Sequence, residues 1–264
     1  MSASLKKTLK SLSGRVAGLT GAYEREFRSR MTVVAFHRIT DELPEDGLTC
    51  GSEKFESFCQ FFQKHFRTVA LSDQIAGCRA GADLGGTLSI TFDDGYRDNY
   101  EVAAPILRRL RLPATFFVTT GYIGTDTVAP WDRQLPMRPG WMSWEQVRAL
   151  ADMGFEIGSH SEAHIDLGTA DAETVRTDLA TSQRKLAAAL GKPARLFAYP
   201  FGGPEHLSAR SRELVREAGF ECCIACYGGL NPAKPDPFNL NRIGIAEWFA
   251  SPHQLGFEMM IGKA

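Results

Sequence analysis

His160 and His164 bracket the run His-Ser-Glu-Ala-His, which sets two imidazoles four residues apart. That spacing suits one metal ion, on a helical turn or in a tight loop. Two imidazoles make an incomplete site, and a carboxylate completes a His₂–carboxylate set with positions open for water and substrate. The adjacent pair Asp93-Asp94 can supply it. Neighbouring side chains on an extended strand point apart, but at a strand end followed by Gly95 the chain can turn and present both. One carboxylate would then ligate the ion while the other accepts a proton from water. An ion so held lowers the pKa of water, polarises a scissile carbonyl and neutralises an oxyanion, the requirements of an amide or ester hydrolase. Taken singly, a His-x-x-x-His spacing arises by chance on surfaces and Asp-Gly is an ordinary turn. Jointly, each at the end of an apolar run, they point to one site.

Those apolar runs are Thr32–Phe36, Thr68–Leu71, Thr87–Phe92, Ala114–Thr119, Phe155–Gly158, Leu196–Tyr199, Cys222–Ala225 and Leu240–Ile245. Their β-branched and aromatic content predicts strands, with helical stretches between many of them. One helix follows Ser52 with Phe55, Phe58, Phe62 and Phe66 on or near one face. Another opens on Ser143 with Gln146 in capping-box form, and a third carries Val175, Leu179, Leu186 and Leu190 before Gly191. A fourth runs from Arg212 to Ala218. The alternation predicts a parallel sheet wrapped by helices, in one α/β domain. His37, Asp93-Asp94, His160 and Pro200-Phe201-Gly202 each follow a predicted strand. In a barrel those strand ends converge on one rim.

A formal charge of -1 gives no reason to expect nucleic acid. The six cysteines do not form a small-domain disulfide framework, and reduced thiols are expected. The Cys223-Ile-Ala-Cys226 pair falls within an apolar run, whereas reactive thiols need an electropositive setting. Residues 1–30 lack an apolar signal core and a cleavage site, so the expectation is a cytoplasmic chain. In that segment Leu5, Leu9, Leu12, Val16 and Leu19 share one helical face, and Lys and Arg outnumber Glu. Such a face suits either packing onto the body or peripheral contact with an anionic inner membrane surface.

Thr91-Phe92-Asp93-Asp94-Gly95-Tyr96 and His160-Ser-Glu-Ala-His164 resemble the first two motifs of the polysaccharide deacetylases, carbohydrate esterase family 4. The resemblance extends to PATFFVTTGYIG, to WEQVRALADMGFEIGSHSEAH and to FAYPFGG, and it covers residues 31 to about 245. It implies a distorted (β/α)7 barrel over residues 31–250, preceded by a basic amphipathic segment, 1–30, and followed by a C-terminal tail, 251–264. It implies hydrolysis of N-acetyl groups on an amino sugar in a polysaccharide, oligosaccharide or glycan precursor. Asp93 matches the family's general base, and Asp94, His160 and His164 match its metal ligands. Zinc is the default ion, with cobalt, nickel or iron as alternatives. Tyr96 and Phe201 are the candidates for contact with substrate, and the Phe201 N–H is the candidate oxyanion donor.

Two positions depart from the family pattern. Many members carry an arginine two residues before the proline of the third motif, where it orients the base; here that residue is Ala198. Arg242, in Leu-Asn-Arg-Ile-Gly-Ile, is the candidate replacement, since Arg195 sits on a strand away from the turn. A late Leu-x-His motif for the general acid is missing, and His253 lacks its context. Phe36-His37-Arg38-Ile39 instead resembles the strand-ending histidine of a permuted subgroup, which makes His37 the candidate acid. The same machinery would serve an O-acetyl esterase or a deformylase, and a catalytically silent sugar-binding protein would keep the barrel. A glycosidase would need two carboxylates flanking a sugar bond instead.

Overall fold

The computed structural model describes residues 3–264. Six strands, β1 (Arg30–Phe36), β2 (Thr87–Phe92), β3 (Thr115–Val118), β4 (Glu156–Ser159), β5 (Ile224–Gly228) and β6 (Leu240–Gly244), pair in parallel in the order β4-β3-β2-β1-β6-β5. The predicted strand Leu196–Tyr199 is reduced to two bridges, Ser159↔Phe197 and Ala198↔Ile224. Those bridges join β4 to β5 and close the sheet, so the barrel has seven staves, one of them barely a strand. The helices are α1 (Ala3–Leu19), α2 (Ala22–Phe27), α3 (Ser52–His65), α4 (Leu71–Arg79), α5 (Ala104–Leu110), α6 (Trp144–Asp152), α7 (Ala172–Leu190), α8 (Ala209–Glu217) and α9 (Pro252–Met260). Among the described residues no helix is long and apolar enough to cross a membrane.

The two-residue period of the strands sorts their side chains between two layers. Phe36, Phe92 and Phe116 lie side by side in register, with ring centroids 5.7 and 4.7 Å apart, and face outward, Phe36 and Phe92 both meeting Phe55 of α3. Val33, Phe117, Ala198, Ile224 and Leu240 belong to a separate apolar cluster that fills the barrel interior. Strands buried on both faces read as near-continuous apolar runs, which is why they were legible. The α6 capping box forms as Ser143 and Gln146 predict, and α7 ends on Gly191 in the left-handed region.

Two predicted elements differ. The run Thr68–Leu71 is not a barrel strand. Only Arg67–Thr68 pairs with the start of β2, and Leu71 opens α4. The N–H groups of Leu71 and Ser72 donate to the Glu156 carboxylate, a tertiary anion at a helix N-terminus that local sequence cannot reveal. The stretch expected as a C-terminal tail forms α9, which buries Leu255 and Met259.

Candidate active site

The C-terminal strand ends meet around a cavity of about 270 Å³. β1 delivers His37, β2 delivers Asp93 and Asp94, β4 delivers His160, and β5 delivers Cys226. Two tight turns shape the rim. The Gly95 N–H donates to Asp93 O at 2.9 Å around Asp94, whose φ is 73°. The Gly202 N–H donates to Pro200 O at 2.7 Å around Phe201, whose φ is 63°. Left-handed φ at a non-glycine residue costs energy and is concentrated at functional sites. The first turn lets both carboxylates reach the cavity. Gly95 itself has φ 93°, a conformation L side chains rarely adopt, and a Cβ there would also crowd Ile123 and Val118, so the position beside the pair favours glycine.

The His160–His164 segment is a loop rather than a helical turn. Asp178 of α7 accepts the N–H groups of Glu162 and Ala163, each at 2.9 Å, and Ser161 and His164 both have left-handed φ. His160 donates from Nδ1 to Ala198 O at 2.9 Å, which fixes its tautomer and turns Nε2 inward. The Nε2 atoms of His160 and His164 lie 3.5 and 3.4 Å from Asp94 Oδ1. The ligand atoms of the three residues are all within 4.8 Å of one another. Asp94 Oδ1 and His164 Nδ1 are buried and have no hydrogen-bond partner among the described residues. A buried carboxylate oxygen facing two imidazole nitrogens, with no hydrogen bond of its own, fits a divalent cation of His₂–carboxylate type. Burial opposes ionisation of Asp94, but the surrounding His164, His37 and His160 hold its pKa well below the usual range.

Asp93 is held differently. Arg242 Nη1 donates to Asp93 Oδ1 at 2.7 Å and Nη2 donates to Oδ2 at 2.6 Å, a two-point fork inside the barrel. Arg242 is fully buried, and its other bonds run to Ala225 O at 2.6 Å and Thr91 Oγ1 at 2.9 Å. The β5–β6 register shifts between Leu240 and Arg242, where the guanidinium enters. Burial would raise the Asp93 carboxyl; Arg242, with His160 and His37, keeps it below the usual carboxylate range. His37 Nε2 lies 3.9 Å from Asp93 Oδ2, and the His37 carbonyl is held by Asn99 Nδ2 at 2.7 Å. His37, Asp93 and Cys226 form a second cluster of metal-ligand type, but both Asp93 oxygens are already bound by Arg242.

The remaining candidates fall as follows. Phe201 stands half exposed at the mouth with its ring 4.8 Å from that of His164. Tyr96, expected to touch substrate, does not line the cavity: it is fully buried, its hydroxyl donates to Asp132 Oδ2 at 2.9 Å and accepts from Trp131 Nε1 at 2.8 Å. Trp131 itself lines the cavity, 4.4 Å from the His164 ring, and sequence reasoning missed it. Behind it, buried Arg38 binds Asp132, Asp46 and Thr49. Cys226 does reach the cavity wall, but burial pushes its thiol up to about 11, which keeps it protonated. Arg195 pairs with Glu221. His253 lies on α9 with its ring 5.8 Å from that of Phe61, away from the cavity.

Burial also pushes the His160 imidazole down to about 4, from the 6.5 usual for histidine. A depressed folded pKa favours the neutral ring. Its contribution to stability is complete above pH 6.5 and is lost as pH falls toward 4. For chelated protein this residue alone accounts for a loss of about 3 kcal/mol across that window. Urea unfolding at a series of pH values should show the decline. His160→Asn, which can keep a donor for Ala198 O, should flatten it; an unchanged slope in the variant would assign the decline to other groups.

The polysaccharide deacetylase family model matches residues 81–223, more than half of the chain. A poly-beta-1,6-N-acetyl-D-glucosamine N-deacetylase of Staphylococcus aureus (strain MRSA252) is 26% identical over 162 residues, covering 58% of this chain and 53% of the relative. The chain spans about half the length of the curated relatives it matches. Among solved structures, the Streptococcus pyogenes deacetylase PplD in complex with acetate superposes with a TM-score of 0.72 at 21% identity, over 86% of this chain and 96% of that one. IcaB from Ammonifex degensii gives 0.71 at 22% identity, over 88% and 97%. These likenesses show the barrel fold.

Proposed function

The chain belongs to the polysaccharide deacetylase family, and from that premise we propose that it is a metal-dependent hydrolase removing N-acetyl groups from an amino sugar in a glycan. The observation that carries the reading is the unequal treatment of two adjacent carboxylates. Asp94 Oδ1 faces two imidazoles without a hydrogen bond, whereas both oxygens of Asp93 are gripped by a buried arginine. The name of the Staphylococcus aureus relative, which specifies an N-acetylated glucosamine polymer, supports the choice of acyl group and sugar class. A cavity of about 270 Å³ with an exposed aromatic at its mouth suits an acetamido group and part of its ring.

Asp94, His160 and His164 would hold one divalent ion, with zinc the default for this donor set. When bound, it supplies Lewis acidity that activates water and polarises the acyl carbonyl. Asp93 accepts the proton of the attacking water, and Arg242 keeps that carboxylate ionised and oriented. The Phe201 N–H, which donates to no acceptor among the described residues, stabilises the developing oxyanion. His37 gives a proton to the departing amine nitrogen as the C–N bond breaks. Trp131 and Phe201 flank His164 and close its surroundings to bulk water.

Acetate release tests the proposal. Metal-loaded protein should release acetate from N-acetylated amino-sugar oligomers, chelated protein should not, and returning zinc or cobalt should restore the activity. His37→Ala should lose about 10²–10⁴-fold on the amide and much less on an activated aryl acetate, whose leaving group needs little protonation. Undiminished activity after rigorous metal removal would overturn the metal reading. Equal losses on both substrates with a lowered melting temperature would make His37 a packing residue.

A further inference from the structure

Helices on globular surfaces turn their apolar stripe to the core and their polar face to water. α1 does the reverse. Leu5, Leu9, Leu12, Val16 and Leu19 are 47%, 45%, 52%, 60% and 85% exposed, five of the eleven large apolar side chains exposed among the described residues. The opposite, small and polar face docks on α9. Ser11 Oγ lies 2.7 Å from Ser251 Oγ, Lys10 Nζ donates to Glu258 at 2.9 Å, and Lys7 Nζ donates to Glu247 O at 3.0 Å. At Gly14 a Cβ would fall 1.9 Å from His253 O, so only glycine permits the approach. The orientation is therefore built in, and the stripe cannot turn inward without losing these contacts. Exposed contiguous apolar surface of this kind marks an interaction site.

Charge identifies what covers it. α1 carries Lys6, Lys7, Lys10 and Arg15 and no carboxylate. At 3.6 residues per turn, exposed Lys6 and Arg15 fall on opposite flanks of the stripe. Arg25, Arg28 and Arg30 follow, exposed, against Glu24 and Glu26, in a chain whose net charge is only -1. The stripe's alternating four- and three-residue spacing would also suit a coiled-coil seam. A second copy, however, would bring only cations and hydroxyls to the flanks of that seam, with no acidic partner. An apolar stripe bordered by cations instead complements an anionic lipid surface. We propose that α1 is a docking helix that seats the chain on an anionic bilayer, its stripe in the acyl boundary and Lys6 and Arg15 on the headgroups. A groove of about 550 Å³ is bordered both by Lys6, Lys7 and Lys10 and by Cys226, which also lines the active-site cavity.

The test is co-sedimentation of the full chain with phosphatidylcholine vesicles, with and without one third phosphatidylglycerol. It needs no substrate, so it stands or falls separately from the hydrolase reading. The chain should partition onto the anionic vesicles and be released by salt. A Leu9→Ser/Leu12→Ser/Val16→Ser variant and a Lys6→Glu/Arg15→Glu variant should each bind at least about tenfold more weakly. Both sets of positions are exposed, so the melting temperature should hold. Equal binding to neutral vesicles, unaltered binding by the variants, or no binding at all would overturn the proposal. So would a dimer in solution that the serine variant dissociates, which would assign the stripe to a second copy.

Discussion

Asp93→Asn should retain one metal ion per chain and lose about 10²–10⁴-fold in turnover, the usual contribution of a general base. Asp94→Asn should lose the ion itself. The two substitutions make the same chemical change at neighbouring residues, so their difference reports position alone. Asp94 Oδ1 is the oxygen that faces the Nε2 atoms of His160 and His164 and lacks a hydrogen bond. Replacing that carboxylate with an amide removes the one anionic donor of the set and weakens retention of a divalent cation. Asp93 lies beyond this cluster, its charge matched by Arg242, and its amide analogue cannot accept a proton from water. Asp93→Asn also leaves Arg242 facing a neutral group, so the variant should melt lower and must be assayed below its transition. Elemental analysis on equally folded samples, together with turnover, separates the roles. Metal loss in Asp93→Asn with retention in Asp94→Asn would exchange them.

How far such roles could be read beforehand depended on what kind of regularity each residue belonged to. Asp94, His160 and His164 follow buried strands, and a strand's apolar run announces its own C-terminal end. Arg242 belongs to a strand as well, but its side chain reaches Asp93 from within the barrel, and only the strand order β2-β1-β6 brings residues 149 positions apart into contact. The stave at residues 197–198 reads as an ordinary strand, yet it is held by two bridges because both neighbours are reached at single residues. Trp131 gave no signal. It comes from the irregular segment between β3 and α6, where neither helical nor strand periodicity applies, and its position follows from the Tyr96–Asp132–Arg38 contacts behind it. The same contacts explain why Tyr96, although it sits in the metal motif, points away from the cavity. For α1 the sequence identified an apolar face, but periodicity does not say what that face meets. Gly14, on the opposite face, fixes only which side of the helix docks on α9.

Arg242→Met should destabilise the fold by about 3–5 kcal/mol, the usual cost of stranding a buried charge by deleting its partner. The guanidinium and the Asp93 side chain are 0% and 1% exposed, so solvent cannot screen the loss as it would at a surface pair. Asp93 would keep only distant support from His37 and His160, and burial would then favour its protonated form. Turnover should fall for the same reason, since a protonated Asp93 cannot act as a base. A general loss of packing makes a different forecast for the double variant. If the destabilisation comes from the stranded carboxylate, Arg242→Met with Asp93→Asn removes both charges and should be more stable than Arg242→Met alone. If it comes from lost packing, the second change should add to the first or do nothing. Urea unfolding of the two single variants, the double variant and the parent measures the coupling. Arg242→Lys adds a further constraint, because a point charge can neutralise Asp93 but cannot reproduce the two-point fork. It should therefore recover more of the stability than of the turnover. Full recovery of both would show that Arg242 supplies charge alone and leaves the orientation of Asp93 to its other neighbours.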